Sequence, residues 1–257
     1  MADSLAAPLA GVALAAGAGT RLRPLTLERP KPLCPVGGRA LLDWSLEHLE
    51  GCLGRGAVAV NAHHLADQIA EHLGNRVGHP ATHLSVERRP LGTAGALGQL
   101  RSWLDGRSAL VLNADTWHRA DLTAFAAGWD GERVRVLSTG ALPFGPTSGV
   151  VASIVPWSIV SGLDPEPSGL WEQVWRAELA AGRLDAVLHD GPVVDCATPA
   201  DYLHANLTWS GGEPVLGSGV VVEGSVVRSV LWPGARVERH ERLIDAVRTP
   251  LRTVLVR

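Results

Sequence analysis

Short β-rich apolar runs alternate with helical patterns through the first 140 residues of this 257-residue chain, and this alternation constrains its fold more than any other feature. The strand-like runs are residues 9–15, 57–61, 82–87, 108–114 and 134–139. The helical patterns are residues 41–49, 65–73, 94–104 and 122–129. Alternation of this kind predicts strand-helix-strand units that build a parallel sheet. The run ALVLNA (109–114) is almost continuously apolar, as expected of a strand that is covered on both faces.

The second half of the chain is less regular. Prolines interrupt residues 143–167 before further helical patterns at residues 170–181 and 201–207. From residue 214, valine or leucine and glycine recur in steps of about six, which is typical of a hexapeptide β-helix; an ordinary hairpin is the alternative. One or two such turns cannot bury their own face, so the segment must pack on the main domain or on another chain. We therefore predict a domain of residues 1–210 and a short β-helix-like segment of residues 214–257, an arrangement compatible with a homodimer.

The charge and the cysteine content argue against several classes of protein. The formal net charge is −3 and the isoelectric point is near 6.4, which is too weak a field to gather nucleic acid or an anionic membrane surface. The three cysteines are scattered and include no C-x-x-C pair, so neither a disulfide framework nor a zinc site is indicated. No run reaches the roughly 20 apolar residues that a membrane-spanning helix needs. We expect a cytoplasmic protein that binds small molecules and neither nucleic acid nor membrane.

A glycine-rich turn follows the first predicted strand. Gly17 and Gly19 lie where this strand ends, so backbone N–H groups can approach a ligand closely there and form an anion-binding nest. The carboxyl ends of strands are also where open α/β sheets bind ligands. The turn is not a dinucleotide-binding fingerprint, because Leu22 replaces the third glycine, and the chain has no P-loop motif.

Four cations follow this turn within eleven residues: Arg21, Arg23, Arg29 and Lys31. Prolines separate them, so we predict a stiff extended arm and not a helix. Arginine grips two oxygens at once and lysine acts as a point charge, so such an arm suits a polyphosphate. Of the 23 lysine and arginine residues in the chain, Lys31 is the only lysine. Its presence indicates a site that needs a compact ammonium, and a basic surface loop with one remaining lysine is the alternative.

The stretch LAAGAGTRLRPLTLERPKPLCPV (14–36) resembles the signature of the sugar-1-phosphate nucleotidyltransferases, which make nucleotide sugars. Three further stretches follow in the family's order: ERRPLGTAGAL (87–97), VLNADTW (111–117) and VVDCATPADYLHANL (193–207). The resemblance implies a Rossmann-like α/β fold with a mixed, mostly parallel sheet flanked by helices. The tail resembles a truncated form of the left-handed β-helix of mannose-1-phosphate guanylyltransferases. The compact length resembles the short N-acetylmuramate-1-phosphate uridylyltransferases.

The resemblance also implies a reaction and a set of site residues. The family transfers a nucleoside monophosphate from a nucleoside triphosphate to a sugar 1-phosphate and releases pyrophosphate. By resemblance, Arg21 neutralises the leaving pyrophosphate, Lys31 bridges the α-phosphate and the sugar phosphate, and Asp115 completes the catalytic set. The residues implied for nucleotide binding are Leu14, Ala15, Ala16, Gly17, Ala18, Gly19, Thr20, Arg21, Glu87, Gly92 and Thr93. Those implied for the sugar phosphate are Lys31, Asn113, Ser148 and Gly149.

Asp115 and Asp195 each follow an apolar run, and the resemblance makes both of them metal ligands. Taken alone, Asp115 is explained at least as well as a helix cap. Two carboxylates at strand ends suit Mg²⁺, which keeps several waters and binds substrate phosphates. We therefore expect Mg²⁺ as the cofactor.

Glu87 bears on the choice of nucleotide. An ionised carboxylate only accepts hydrogen bonds, so Glu87 suits guanine, which offers adjacent donors, better than a pyrimidine with one N–H. On this interpretation GTP is favoured. If Glu87 instead caps the helix that contains Thr93, or pairs with Arg88, the preference for GTP disappears.

Departures from the family pattern leave other functions open. The family's second lysine, which binds the sugar phosphate, is absent, and Arg135, Arg176 and Arg183 are candidate substitutes. Ala114 and Cys196 stand where the family usually has glycine. The first alternative is a UTP-dependent uridylyltransferase that acts on an N-acetyl-amino-sugar 1-phosphate. The second is an inactive regulatory subunit that binds a nucleotide sugar.

Two further features are interpreted as structural. His63 and His64 are adjacent and lack other ligands at metal-binding spacing, so we do not expect them to bind a metal. Trp171 and Trp175 are four residues apart, which predicts one packed helix face.

Overall fold

The computed structural model describes residues 8–54, 57–79, 81–140 and 142–256. The chain divides into two compact units. The first consists of Met1–Gly17, Ser45–Ala114 and His118–Val193, and the second of Ala18–Trp44, Asp115–Trp117 and Val194–Arg257. The segment predicted as a β-helix-like tail, residues 214–257, thus lies in the second unit, and the division into residues 1–210 and 214–257 stays a prediction.

The first unit contains a seven-stranded sheet. Its strands are β1 (Leu9–Leu14), β2 (Val58–Ala62), β3 (His83–Val86), β4 (Ser108–Asn113), β5 (Val134–Thr139), β6 (Gly149–Val155) and β7 (Leu184–Leu188). Their order is β7-β5-β6-β4-β1-β2-β3, and only β6 runs antiparallel to its neighbours in this described sheet. The predicted mixed, mostly parallel sheet is confirmed. Leu14 pairs with Asn61 on one side and with Asn113 on the other, so the three residues share the carboxyl edge of the sheet.

The described helices are α1 (Leu41–Leu53), α2 (Ala66–Gly74), α3 (Gly92–Leu104), α4 (Leu122–Ala126), α5 (Trp157–Val160), α6 (Arg176–Ala180) and α7 (Pro199–Ser210). A five-residue π-helical turn, Trp171–Trp175, leads directly into α6. In the first unit α3 buries Leu97, Leu100 and Leu104 in the core that also contains Val12 of β1. Gly95 and Gly98 of α3 have no Cβ. The helix therefore lies directly against the backbone of residues 164–166, in the loop that precedes the π-helical turn.

The sequence pattern missed β6 and β7 and misplaced some helix ends. Prolines bracket β6, at 146 and 156, so the pattern between them resembles a loop, yet both prolines stand outside the strand where they cost no ladder hydrogen bond. The helix predicted at residues 65–73 is α2, which includes Gly74 and is capped by Asn75. The helix predicted at residues 122–129 ends earlier, at Ala126.

The arm predicted to be extended in the second unit is instead folded into three one-turn 3-10 helices, Thr20–Leu22, Leu25–Leu27 and Lys31–Leu33. The prediction that this segment cannot be helical was wrong. Pro24 and Pro30 stand at the positions that precede a turn, where a missing N–H and a fixed φ are tolerated, and turns of three residues fit between successive prolines.

The rest of the second unit is built from short strands. Pro35–Val36 pairs with Arg39–Ala40. Thr116–His118 forms a two-stranded sheet with Val193–Asp195, and all residues of these two strands except His118 and Val193 belong to the second unit. The tail strands are Val215–Leu216, Val221–Val222, Ser225–Val227, Val230–Leu231, Arg236–Val237, Arg242–Ile244, Ala246–Arg248 and Thr253–Leu255. They form three parallel stacks, and only the last strand is antiparallel to its neighbour among those described. Parallel pairing argues against the hairpin alternative, and the left-handed β-helix stays a prediction. No helix in the described parts of the chain is long and apolar enough to cross a membrane.

Candidate active site

In the first unit, the carboxyl ends of β1 and β2 and the residue after β3 are joined by buried hydrogen bonds. The Ala15 N–H donates to Oδ1 of Asn61 at 2.7 Å, and Nδ2 of Asn61 donates to Oε1 of Glu87 at 2.7 Å. The Leu91 N–H donates to Oε2 of Glu87 at 2.9 Å. Asn61 and Glu87 are each 2% exposed. The network therefore fixes the end of β1, where the predicted nucleotide-binding residues begin, to the start of α3.

Both carboxylate oxygens of Glu87 are thus engaged within the protein. Leu91 is the residue before α3, so Glu87 caps the helix that contains Thr93, which is the alternative left open by the sequence. Its main-chain carbonyl accepts a further hydrogen bond from Nδ1 of His63 at 2.9 Å, a structural role for that histidine. Glu87 therefore offers guanine no free acceptor in this geometry, and its preference for GTP has no support.

The residues at the start of α3 are held closely by a neighbouring loop. Gly92 has φ +70°, and a Cβ there would lie 2.5 Å from the carbonyl oxygen of Ser168, so a side chain is excluded. Thr93 accepts a hydrogen bond from the Leu170 N–H at 2.8 Å through its hydroxyl. These contacts fix the loop that precedes the π-helical turn.

A cavity of about 310 Å³ opens in the first unit. Four of the predicted site residues line it: Leu14, Thr93, Asn113 and Ser148. The structure therefore brings together residues that were assigned separately to the nucleotide and to the sugar phosphate. Gly149, the other predicted residue of this group, begins β6 and is not among the lining residues.

The cavity has a wall that the sequence analysis did not assign to a site. Trp171, Glu172 and Trp175 of the π-helical turn line it. Both tryptophans meet the ring of Phe144 edge to face, with centroids 5.9 Å apart in each pair. The predicted packed face is therefore present, but it also borders a cavity. The i, i+4 spacing alone could not distinguish these two situations.

In the second unit, Lys31, Asp115 and Asp195 form a group that we call the Lys31 cluster. Nζ of Lys31 donates to Oδ2 of Asp115 at 2.7 Å and to Oδ1 of Asp195 at 2.9 Å. Lys31 is 5% exposed, whereas the two carboxylate side chains are 37% and 54% exposed. Burial lowers the pKa of Lys31, but the two carboxylates outweigh it and raise the pKa above its usual value. The amine is therefore a charged ammonium.

The strand pair of the second unit explains why the two acids meet. The Cys196 N–H donates to the carbonyl oxygen of Asp115 at 3.1 Å, which places Asp195 beside Asp115 although the two are far apart in sequence. Cys196 itself is fully buried, and burial raises the pKa of its thiol. A small buried residue at this position is compatible with the glycine that the family usually has.

Asp115 and Asp195 are the carboxylates that the Lys31 cluster offers to a magnesium ion, and both of them reach solvent. Their 2.7 and 2.9 Å contacts with the ammonium are longer than the roughly 2.0–2.1 Å of a Mg²⁺–oxygen bond, so the metal site stays a prediction. No group of three or more His, Cys, Asp and Glu side chains suited to a metal occurs in the parts of the chain described here. The protein would thus provide only Asp115 and Asp195, and Mg²⁺ accepts one or two carboxylates when water and substrate phosphates complete its coordination.

The glycine-rich turn is packed against the base of Lys31. Gly19 has φ +59°, and a Cβ there would lie 2.8 Å from Cγ2 of Thr26 and 3.1 Å from Cβ of Lys31. The Thr26 hydroxyl donates to the Gly19 carbonyl at 2.8 Å. Only glycine fits this position. Thr20 and Arg21 are exposed, and their role in binding a nucleotide stays a prediction.

Two of the candidate substitutes for the second lysine are engaged elsewhere. Arg135 donates to backbone carbonyls of residues 125–128, and Arg183 binds both carboxylate oxygens of Glu178. Arg176 is exposed on α6. Which of the three arginines substitutes for the second lysine stays a prediction.

Tyr202 of α7 and Trp232 of the tail hold the arm that carries Lys31. The Tyr202 hydroxyl donates to the carbonyl oxygen of Pro35, and Nε1 of Trp232 donates to that hydroxyl at 2.9 Å. The guanidinium of Arg29 lies 4.3 Å above the Trp232 ring. Trp232 thus contacts both flanks of Lys31, through Arg29 before it and through Tyr202 and Pro35 after it. No sequence signal indicated this role.

Comparisons with known proteins place this geometry in a family. The family model described as nucleotidyl transferase matches residues 10–140. The N-acetylmuramate alpha-1-phosphate uridylyltransferase of Caulobacter vibrioides is 38% identical over 160 residues, which cover 57% of this chain and 66% of that protein. The mannose-1-phosphate guanylyltransferase catalytic subunit beta of Dictyostelium discoideum is 28% identical over 223 residues, which cover 74% of this chain and 61% of that protein. The chain thus spans just under two thirds of the length of these curated relatives.

A solved structure shows the same fold. HddC from Yersinia pseudotuberculosis, complexed with GMP-PN, superposes with a TM-score of 0.62 at 19% identity. The match covers 78% of this chain and 99% of that one. Because the family model spans half of the sequence, this chain belongs to the nucleotidyl transferase family.

Proposed function

We propose that this protein transfers a nucleoside monophosphate from a nucleoside triphosphate to a sugar 1-phosphate, forming a nucleotide sugar and pyrophosphate. The Lys31 cluster is the observation that supports this function best. A buried ammonium held by two partly exposed carboxylates is suited to phosphate groups and a divalent cation, and it has no need of a nucleophilic side chain. The names of the two curated relatives describe transfer of this kind to sugar 1-phosphates.

In the proposed reaction, an oxygen of the sugar phosphate forms a bond to the α-phosphorus of the triphosphate. The bond from that phosphorus to the oxygen that bridges to the β-phosphate breaks, and pyrophosphate leaves with the bonding electrons. Lys31 offsets charge on the α-phosphate and the sugar phosphate, and the exposed Arg21 offsets charge on the leaving pyrophosphate. Backbone N–H groups of Gly19 and Thr20 hold phosphate oxygens.

Asp115 and Asp195 would hold Mg²⁺, the cofactor that we propose. When bound, Mg²⁺ supplies positive charge to the phosphate oxygens. The cluster alone has two carboxylates against one ammonium, so its local formal charge is negative, which favours a cation there and opposes the binding of a triphosphate without one. Activity is therefore expected to require a divalent metal.

GTP and UTP are the two candidates for the nucleoside triphosphate that the protein uses. GTP is the triphosphate that the sequence favours, and a guanylyltransferase is among the relatives. UTP is the second candidate, because the oxygens of Glu87 are engaged within the protein and because the relative at 38% identity is a uridylyltransferase. Because both carboxylate oxygens of Glu87 are engaged, we propose that main-chain groups near Gly92 bind the base.

A reducing, cytoplasmic environment is also proposed. Cys34, Cys52 and Cys196 are all free thiols. Burial raises the pKa of Cys34 to about 12, so this thiol is inert and does not act as a nucleophile. The homodimer expected from the tail stays a prediction.

A matrix of substrates tests the proposed function. Each of GTP, UTP, ATP, CTP and dTTP is incubated with mannose 1-phosphate, glucose 1-phosphate or N-acetylglucosamine 1-phosphate, with Mg²⁺ or with EDTA. Pyrophosphate is measured by a coupled assay and the nucleotide sugar by chromatography. We expect both products in equal amounts from at least one pair, and only with Mg²⁺. Tight nucleotide binding without turnover on any pair would instead support the inactive regulatory subunit.

A further inference from the structure

The last hairpin of the tail contacts the arm that carries Lys31. Residues 249–252 form the turn between its two antiparallel strands. The Thr249 hydroxyl donates to Oε1 of Glu28 at 3.0 Å, and Nε of Arg252 donates to the same oxygen at 2.5 Å. All of these residues belong to the second unit, so the contact lies within one compact body.

The side chain of Thr249 organises this turn. Thr249 is 1% exposed. Its hydroxyl oxygen accepts hydrogen bonds from the N–H groups of Leu251 and Arg252, each at 3.1 Å, and its own N–H donates to the Arg252 carbonyl at 2.9 Å. A hydroxyl has one proton to donate. Because Thr249 gives that proton to Glu28, the turn presents two donors in fixed positions to one carboxylate oxygen.

Glu28 lies where two turns of the arm meet. Its N–H donates to the carbonyl oxygen of Leu25 at 3.1 Å, which ends the turn Leu25–Leu27, and Pro30 then precedes the turn Lys31–Leu33. The side chain of Glu28 is 11% exposed. Burial of a carboxylate is costly unless the group is paired, so the donors of the hairpin turn help to fix the backbone at this junction.

Lys31 follows Glu28 by three residues, and its surroundings leave little room for displacement. Its ammonium contacts Asp115 at 2.7 Å and Asp195 at 2.9 Å, and its Cβ lies 3.1 Å from the place that a Cβ on Gly19 would occupy. Charge-assisted hydrogen bonds of this length depend on accurate placement. A misplacement of about 1 Å in a group that acts on a substrate can lower the rate about a hundredfold, even when its cause is distant.

We infer that Glu28 positions the Lys31 ammonium for catalysis, and that the 249–252 turn of the tail fixes Glu28. The inference rests on the proposed function and deepens it, because it adds a residue that sets the geometry of the reacting groups. The resemblance assigned no role to Glu28, Thr249 or Arg252.

The single lysine of the chain provides a direct probe of this positioning. Lysine labelled with an NMR-active carbon isotope gives one Cε signal, which belongs to Lys31. We expect the chemical shift of this signal to change in Glu28→Gln, which removes the charge that pairs with Arg252, and in Arg252→Met, which removes one donor. Arg252→Lys keeps the cation, so its signal should lie closer to that of wild type.

Steady-state kinetics with a substrate pair that the protein uses tests the consequence for catalysis. We expect kcat to fall about tenfold in Glu28→Gln, with KM for the triphosphate within about twofold of wild type, because the displaced ammonium acts mainly in the transition state. In a Lys31→Met background, Glu28→Gln should cause no further loss, because Glu28 acts through Lys31. An equal loss in both backgrounds would show that Glu28 only stabilises the unit, and would overturn the inference.

Asp245→Asn is the matched control. Asp245 holds Arg228, another arginine of the tail, at 2.8 and 2.6 Å, so it forms the same kind of ion pair. Its φ of +49° is one that asparagine tolerates. The variant should leave both the Cε signal of Lys31 and kcat unchanged.

The NMR measurement distinguishes failure of this inference from failure of the proposed function. Circular dichroism first establishes that each variant is folded. A Cε signal that changes in Glu28→Gln and Arg252→Met but not in Asp245→Asn, without transfer on any substrate pair, supports the positioning of Lys31 and refutes the transferase function. A signal that is the same in wild type, Glu28→Gln and Arg252→Met overturns the inference, whatever the activity of the protein.

Discussion

Lys31 is a buried amine that stays charged because two carboxylates surround it. The sequence could indicate that this lysine was special, since it is the only one among many arginines. It could not show that its partners would be Asp115 and Asp195. A compact ammonium fits between two carboxylates at 2.7 and 2.9 Å, whereas the planar fork of arginine needs more room.

Replacing Lys31 should therefore abolish most of the activity even when the positive charge is kept. We expect Lys31→Met and Lys31→Arg each to lower the rate of pyrophosphate release by about a hundredfold or more, because preorganised charge at the reacting phosphate is lost or misplaced. Arg242→Met, which removes an exposed cation of the tail, should stay within a few-fold of wild type. A wild-type rate for Lys31→Arg would show that the ammonium is not specifically required.

Glu87 is expected to be a structural acid and not a reader of the base. Glu87→Gln leaves either the Asn61 amide or the Leu91 N–H facing a donor, so the free energy of unfolding should fall by about 1–3 kcal/mol. The ratio of kcat/KM for GTP and UTP should not change. Urea unfolding and the two kinetic measurements check this, with the exposed Glu71→Gln as the matched control. A change in the ratio of kcat/KM for GTP and UTP would instead indicate that Glu87 contributes to base binding.

His118 makes the stability of the first unit sensitive to acid. The ring is buried, it stacks on His48 at 4.3 Å, and its Nδ1 accepts a hydrogen bond from the Ala120 N–H at 3.2 Å. Burial first, and then the charges of His48 and His189, lower its pKa to about 3. The unfolded chain binds a proton near pH 6.5 and the folded chain does not, so stability is present above that pH and is lost as the pH falls from 6.5 toward 3.

The corresponding measurement is urea unfolding at pH 7, 6 and 5. His118 alone should lower the free energy of unfolding by up to about 1.4 kcal/mol for each pH unit below 6.5. His118→Asn keeps an acceptor for the Ala120 N–H but does not titrate, so its stability should depend less on pH by that amount. Equal slopes for the variant and wild type would show that His118 is not the group responsible.

At the scale of elements, regular strands and helices were predictable and the connections between them were not. β1 and β4 carry nearly continuous apolar runs, and α3 carries its apolar residues at helical spacing, so their sequence patterns alone define them. β6 lies between prolines, and the 3-10 turns of the arm lie among them. Proline excludes some backbone conformations at its own position. The packing of the surrounding residues decides which of the remaining conformations the segment adopts.

The tail is an element whose role was not predictable. Its sequence indicated short strands, but the contact of Trp232 with Arg29 and Tyr202 depends on tertiary structure. Near the same place, Arg252 donates to a carboxylate oxygen of Glu28 at 2.5 Å. The tail therefore positions the arm before and after Lys31.

Trp232 is accordingly expected to be a positioning residue for Lys31. Trp232→Phe keeps an aromatic face for Arg29 and loses the indole donor, whereas Trp232→Leu loses both. We expect kcat to fall severalfold in Trp232→Phe and at least tenfold in Trp232→Leu, with a smaller effect on KM for the sugar phosphate. Circular dichroism first establishes that each variant is folded. Steady-state kinetics then compares kcat in wild type, Trp232→Phe and Trp232→Leu. Equal kcat values in all three proteins would mean that the tail only stabilises the unit.

At the scale of the whole molecule, the second unit is assembled from three separate segments of the chain. Motif order in the sequence was enough to assign Asp115 and Asp195 to one metal site by resemblance. Their actual approach depends on the hydrogen bond from Cys196 to Asp115, a long-range contact that no local pattern encodes. The cavity wall at Trp171–Trp175 was missed for the same reason, because burial beside a cavity and burial in a core have the same sequence signature.

The central claim is that Asp115 and Asp195 act as one unit with Lys31 on the phosphates. The most direct measurement is a double-mutant cycle of Asp115→Asn and Asp195→Asn on the rate of pyrophosphate release at saturating Mg²⁺, with Asp190→Asn as an exposed control. We predict that each single variant loses about a hundredfold or more and that the double variant loses little beyond that, because removal of either ligand disables the shared site. Losses that multiply in the double variant, or near wild-type rates in either single variant, would contradict the claim.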